Sequence, residues 1–170
     1  MTLILTLYLR LIRSWLSPLL YWLFRRTIYR GVLPDRWASA RNYSVQKFTE
    51  LLLSYPYKSD FLWGAIDFSP QEPNFFFKER RFNRDCDDWA RMYFWWASGK
   101  GYHTQEVVIC NGFRFWQSHV ITIWWDNDGQ LWLGDYTARK FDTIEGVKEH
   151  LTRRYYPKLV WVVNKTYRGS

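Results

Sequence analysis

Two tight-turn signatures fix the middle of this chain. Val107–Cys110 and Phe113–Trp116 flank Asn111–Gly112, the strongest short signal for a two-residue hairpin because both turn residues tolerate positive φ. A second pair of runs, His119–Trp125 and Gln130–Leu133, flanks Asp126–Gly129. A chain that reverses twice within so short a distance has to form an antiparallel meander, and its Val, Ile and Trp content suits a pleated surface. Ahead of the meander, Asp85 is placed to cap a helix from Cys86 to about Ser98. Asp88 stands at the third helical position as in a capping box, and Gly99 and Gly101 end the helix. Behind it, Asp142 with Glu145 starts a helix to about Arg154, and Leu159–Val163 returns as the strand that closes the sheet. A helix followed by antiparallel strands is an α+β arrangement.

Upstream, Ser44 N-caps a short helix through Val45, Phe48, Leu51 and Leu52, after a connection spanning Gly31 to Ser44. Tyr55 to Phe77 carries Pro56, Gly64, Pro70 and Pro73, which reads as irregular chain of the kind that covers a site. The organisation expected is an apolar and basic helical segment over residues 1–31 and one domain over residues 32–170.

In the first segment, Thr2, Thr6, Arg10, Arg13 and Ser17 fall on one narrow helical stripe, and nearly everything else is Leu, Ile, Tyr, Trp or Phe. Such a helix must be buried in lipid, in a partner or on its own domain. Arg10 and Arg13 near the middle of a spanning helix would cost roughly 2.5–3.5 kcal/mol each. A docking helix at a membrane surface or protein partner, through residues 1–30, stands beside a spanning helix and one packed on the domain. The compartment is left between cytoplasmic and membrane-associated.

The net charge of +8 permits an anionic partner, yet much of it is Arg10, Arg13, Arg25, Arg26, Arg30, Arg36 and Arg41. No basic stripe runs through a nucleic-acid-binding pattern, which argues against nucleic acid. An aromatic share of 21% gives a small domain large side chains for its core, and some of these rings stand to line a groove.

Only two cysteines occur, too few for a disulfide scaffold in a chain of this size. No zinc-ligand spacing is present, so no metal and no cofactor is expected. Cys110, in an apolar strand beside a turn, reads as core, whereas Cys86 sits in the first turn of its helix. There the helix dipole favours a thiolate, while Asp85, Asp87 and Asp88 oppose it. A base or cation is then needed, and His119 at a strand start is the candidate. If the Asp126–Gly129 turn closes the second hairpin, Asp135 comes near His119 and is able to fix its tautomer. Asp87 and Asp88 read chiefly as helix-start acids, and His103 and His150 as structural or solvent-facing. Trp95 and Trp96 cannot share one helix face, so one of them is core. Trp124, Trp125 and Trp132 divide in the same way across the strands.

Asp85-Cys86-Asp87-Asp88-Trp89-Ala90, Ser118-His119-Val120 and Trp132-Leu133-Gly134-Asp135-Tyr136-Thr137 resemble the Cys, His and Asp blocks of the transglutaminase-like superfamily. The nearest flavour is the branch known as bacterial transglutaminase-like cysteine proteinases, found in bacteria and phages. The intervals between the three blocks are compatible with it, and Tyr57-Lys58-Ser59-Asp60 with Gly64 looks like the lead-in, so the likeness covers roughly Tyr55 to Thr137. The resemblance implies a papain/transglutaminase-like α+β fold with Cys86 as nucleophile, His119 as general acid and base, and Asp135 as orienting carboxylate. It also implies an oxyanion hole that uses the Cys86 backbone N–H, with Asn83 as a candidate second donor. Substrates in this group are peptide, isopeptide or glutamine amides or acyl groups, so the partner implied is a protein, a peptide or peptidoglycan. Two alternatives stand beside a cysteine hydrolase or acyltransferase. One is an inactive relative serving as a binding or structural module, such as a phage particle component. The other is a papain-like cell-wall amidase.

Overall fold

The structure, a computed structural model, describes residues 36–56, 85–112 and 114–169. The N-terminal segment, the division near residue 31, the lead-in residues, Asn83 and most of the irregular Tyr55–Phe77 stretch lie outside these. Among the described residues no helix is long and apolar enough to cross a membrane.

Ala38–Tyr55 and Cys86–Ser170 form one compact unit. Helix α1 (Arg36–Ala40) leads to α2 (Val45–Leu53) and, further on, to α3 (Cys86–Gly99). Strands β1 (His103–Asn111), β2 (Arg114–Trp125), β3 (Leu131–Asp135) and β4 (Thr137–Phe141) follow, then α4 (Ile144–Arg154) and β5 (Leu159–Tyr167). The strands form one antiparallel sheet in the order β4-β3-β2-β1-β5, so the α+β class holds.

Local chemistry accounts for most of these boundaries. Ser44 caps α2 as expected, its side chain accepting from Lys47 N at 3.3 Å. The second hairpin turn is closed by Asp126, whose Oδ1 accepts from the backbone N–H groups of Asp128 and Gln130 at 3.1 and 2.9 Å. Its Oδ2 accepts from Trp132 Nε1 at 2.9 Å, and Gly129 takes the left-handed conformation the turn requires.

Four sequence expectations need correction. The connection over Gly31–Ser44 contains the short helix α1. Of the runs Phe113–Trp116 and His119–Trp125, the described residues Arg114–Trp116 and His119–Trp125 belong to the single strand β2, joined through a register shift opposite Cys110 and Asn111. His119 therefore lies inside a strand instead of opening one. Helix α4 is capped by Thr143, whose hydroxyl accepts from Gly146 N at 3.0 Å, and not by Asp142. Between β3 and α4 runs β4, a strand the sequence reading did not contain.

Register assigns each strand residue to a face, because side chains alternate and directly paired residues share a side. Thr122, Trp124, Trp132 and Gly134 lie on the side covered by α3. Thr122 Oγ1 donates to Ala90 O at 2.6 Å, and Tyr93 stacks on Trp124 at 5.7 Å. Phe48 of α2 then stacks on Trp96, and Thr49 Oγ1 lies 3.0 Å from Tyr93 Oη. The other side carries Val107, Ile109, Ile121, Ile123, Leu131 and Leu133, packed with Val147 and Leu151 of α4. The fully buried Trp124 and the nearly buried Trp96 are core, while Trp95 and Trp125 are only half-buried.

At Gly134, α3 approaches the sheet too closely to admit a side chain. A Cβ there would stand 2.6 Å from Tyr93 Cγ and 2.7 Å from its Cδ2, with Trp124 Cζ3 at 3.0 Å. These are ring atoms in a packed core and have nowhere to go. A Gly134→Ala variant is expected to lose about 1–3 kcal/mol or more of unfolding free energy by overpacking. A urea titration with a fluorescence readout measures this, and an unchanged midpoint would show that α3 does not sit this close.

Candidate functional site

Five chain segments end at one edge of the compact unit. Cys110 is the last residue but one of β1, His119 lies midway along β2, Asp135 closes β3, β4 begins just after Tyr136, and β5 starts nearby at Leu159. Helix α4 delivers Tyr155 to the same end. Helix α3 points its first turn there too: Trp96 packs on Tyr102 at the far end of the sheet, whereas Trp89 packs on Tyr136 at this one, 6.0 Å between ring centroids. Cys86 lies one turn earlier still, about 4.5 Å further along the helix axis.

Two of the three predicted site residues are in direct contact. His119 Nε2 and Asp135 Oδ1 are 2.8 Å apart, and both residues are buried, at 7% exposure each. Asp135 accepts a second hydrogen bond at Oδ2 from the Tyr155 hydroxyl, 2.7 Å away, and Arg154 Nε stands 4.0 Å from the same oxygen. Burial by itself drives a carboxyl pKa up. Here it is outweighed by the hydrogen bond and charge of His119, the hydrogen bond of Tyr155 and the charge of Arg154, so Asp135 sits below the ordinary carboxylate value. The carboxylate is therefore charged throughout the neutral range. Because Nε2 is the nitrogen held by Asp135, Nδ1 is the one left for proton exchange with a reacting group. Two rings hold the imidazole: Tyr155 at 4.7 Å and Tyr136 at 5.5 Å between centroids.

Cys86 begins α3 and is half-buried, with its acidic neighbours Asp85, Asp87 and Asp88 all buried. Asp87 pairs with Arg91 one turn on, at 4.0 Å, and Arg91 lies 3.9 Å from the buried Glu106. Glu106 in turn accepts from Asn164 Nδ2 at 2.7 Å. The thiols of Cys86 and Cys110 both act on Tyr156, whose pKa burial raises first and these two sulfurs raise further. Cys110 itself is buried, with Sγ 3.5 Å from Gly112 O, in keeping with a core role.

Cys86 and the His119–Asp135 pair belong to opposite sides of this end of the sheet. His119 pairs with Ile109, on the side that α4 covers, and Asp135 follows Gly134 onto that same side. Cys86 starts the helix on the opposite side. Tyr136 spans the two, touching His119 on one side and Trp89 on the other. It is the single described non-glycine residue with positive φ, at 45°, and forms the whole reversal between the paired residues Asp135 and Thr137.

Tyr155 and Tyr136 were missed by sequence reasoning. Tyr136 stands inside the Asp block but has no polar role that its context announces. Tyr155 lies outside every block, and only its place after α4 brings it to Asp135. The remaining histidines are elsewhere: His103 packs on Trp125, and His150 packs on Phe141. A cavity of about 280 Å³ opens at the far end of the sheet, lined in part by Tyr43, Lys100, Tyr102 and Asp126. Its indoles, Trp96, Trp124 and Trp132, are 2%, 0% and 8% exposed and so serve the core.

Asp135 gives the site a pH signature. A carboxyl whose folded pKa is depressed stabilises the fold at pH values above its unfolded pKa of about 3.9, and that contribution is lost as pH falls further. Asp135→Asn is expected to cost roughly 1.5–3 kcal/mol at pH 7, the scale of hydrogen bonds to a charged group. The gap between variant and parent should start to narrow below about pH 4 and go on narrowing as pH falls through the depressed folded pKa. Urea unfolding at pH 7 and pH 3 reads both, and a constant gap would mean that the carboxylate charge is not what matters.

No protein-family profile, curated protein or solved structure matches the chain.

Proposed function

We propose that this protein is a cysteine-dependent hydrolase or acyltransferase of papain/transglutaminase-like architecture, acting on an amide bond in a protein, a peptide or peptidoglycan. The observation that carries the reading is the Asp135–His119 pair, 2.8 Å apart and buried at the sheet end toward which α3 aims its first turn. In the proposed mechanism, His119 Nδ1 takes the proton of Cys86 and the thiolate attacks the amide carbonyl carbon. The oxyanion that forms is met by the Cys86 backbone N–H. His119 then delivers its proton to the leaving amine, which departs as the thioester forms on Cys86. Water or an acceptor amine attacks the thioester, giving its proton to His119, and the thiolate leaves. Asp135 keeps the imidazole in one orientation and balances its charge in the protonated state.

A second reading, that of a transglutaminase-like binding or structural module without catalysis, is favoured by one observation. His119 and Asp135 share the face covered by α4, while α3 packs on the other. In that reading the pair braces the sheet and Cys86 is an ordinary helix-start thiol.

Iodoacetamide labelling followed by peptide mass analysis separates the two. An activated Cys86 reacts well ahead of Cys110 near pH 7, and His119→Ala slows Cys86 roughly tenfold or more, since an ordinary thiol is only a few per cent thiolate there. Cys86→Ala abolishes turnover once a substrate is in hand. Sluggish labelling of Cys86 that ignores His119→Ala supports the module.

A further inference from the structure

We propose that Tyr155 is a positioning residue of this site: its hydroxyl fixes Asp135 and its ring fixes the imidazole of His119, so that Nδ1 is presented in one tautomer and one direction. The proposal rests on the thiol chemistry assigned above and adds a fourth residue to it.

A carboxylate held through one oxygen is free to swing about its Cβ–Cγ bond, carrying its imidazole partner with it. Asp135 is held through both, Oδ1 by His119 at 2.8 Å and Oδ2 by Tyr155 at 2.7 Å. The phenol is itself anchored. Tyr155 caps the C-terminus of α4, its backbone N–H donating to Leu151 O at 2.8 Å, and Leu151 is fully buried in the core beneath. Burial and the neighbouring Asp135 both raise the phenol pKa, which keeps the O–H proton in place as donor across the neutral range. Arg154, the other cation at this carboxylate, has a side chain 42% exposed and stands 4.0 Å away, too loose to define an orientation. Among the described residues, the charged and titratable groups around the pair include Arg154 and Tyr155 from the end of α4, Tyr136 from the β3–β4 reversal and, by their effect at longer range, His150 and Tyr93 of α3. A tyrosine that merely filled space would need neither the 2.7 Å bond nor the ring contact with His119.

Removing the hydroxyl frees Oδ2, makes Asp135 a stronger acceptor and strengthens its hold on protonated His119. The full-length chain, labelled with ¹⁵N at histidine, reports this directly, with His103 as internal reference. In Tyr155→Phe, which keeps the ring and the fold, the His119 pKa is expected to rise by about half a unit or more, the smaller end of hydrogen-bond effects on titration. The pH limb of Cys86 alkylation should move with it. In Tyr155→Leu, which loses ring and hydroxyl, the ¹⁵N shifts of neutral His119 should also move from a single tautomer toward an average of two. A His119 titration and tautomer in Tyr155→Phe that superimpose on the parent overturn the proposal. A shifted imidazole with an unmoved alkylation profile upholds Tyr155 as the holder of the pair and overturns the thiol-activation reading instead, so the two failures are distinguishable.

Discussion

The seating of α3 on the sheet depends on a missing side chain. At Gly134 the ring of Tyr93 occupies the space a Cβ would take, and this brings the helix close enough for Thr122 to donate to the carbonyl of Ala90. Those two contacts set both the height of α3 and its position along β2. Once they are fixed, the start of the helix has no choice of place: Trp89 meets Tyr136, and Cys86 follows one turn beyond. Lifting the helix by the thickness of a methyl group would break a buried hydrogen bond and open the stack of Tyr93 on Trp124. The geometry of the candidate site is thus decided in the middle of the core, away from the residues that would do chemistry.

Much of this was legible because it is local. Ser44, Asp126 and Gly129 act through hydrogen bonds and backbone angles that span a few residues, so their roles follow from sequence position. The meeting of His119 and Asp135 was legible one step further out, since closing one hairpin brings both residues to its open end. What escaped depends on longer reach or on unusual local geometry. Strand β4 carries Arg139 and Lys140 and lies at the sheet edge, where polar residues are tolerated and the apolar alternation of a strand is lost. Its connection to β3 is the one residue Tyr136 in a left-handed conformation, which a tyrosine rarely adopts and no turn rule would select. Tyr155 reaches Asp135 only because α4 has a particular length and packs on one side of the sheet, and neither is visible in the residues around it.

The strain at Tyr136 has a structural use. A one-residue reversal turns the chain so sharply that β4 pairs at once with β3, from Asp135 and Thr137 onward. It also throws the tyrosine ring outward across the end of the sheet, where it fills the gap between His119 and Trp89. Backbone in this region costs on the order of 1–3 kcal/mol and persists only when surrounding contacts over-determine it. Here the ring packs on both sides, and the flanking ladder holds both ends.

Charge completes the picture, because the helix start is acidic where a thiolate would prefer the opposite. Asp87 is partly offset by Arg91, but Arg91 also faces Glu106, so the cation is shared between two carboxylates and cannot serve Cys86 alone. Arg154, half-exposed, stands 4.0 Å from Asp135 and so adds only loosely to the positive charge at this end. The depressed pKa of Asp135 means that its negative charge is already present to receive a proton on His119. The same pair without Cys86 in reach would hold that proton to no chemical end. For this reason the passage around the sheet end, past Tyr136, decides between enzyme and module more sharply than the presence of the three residues does.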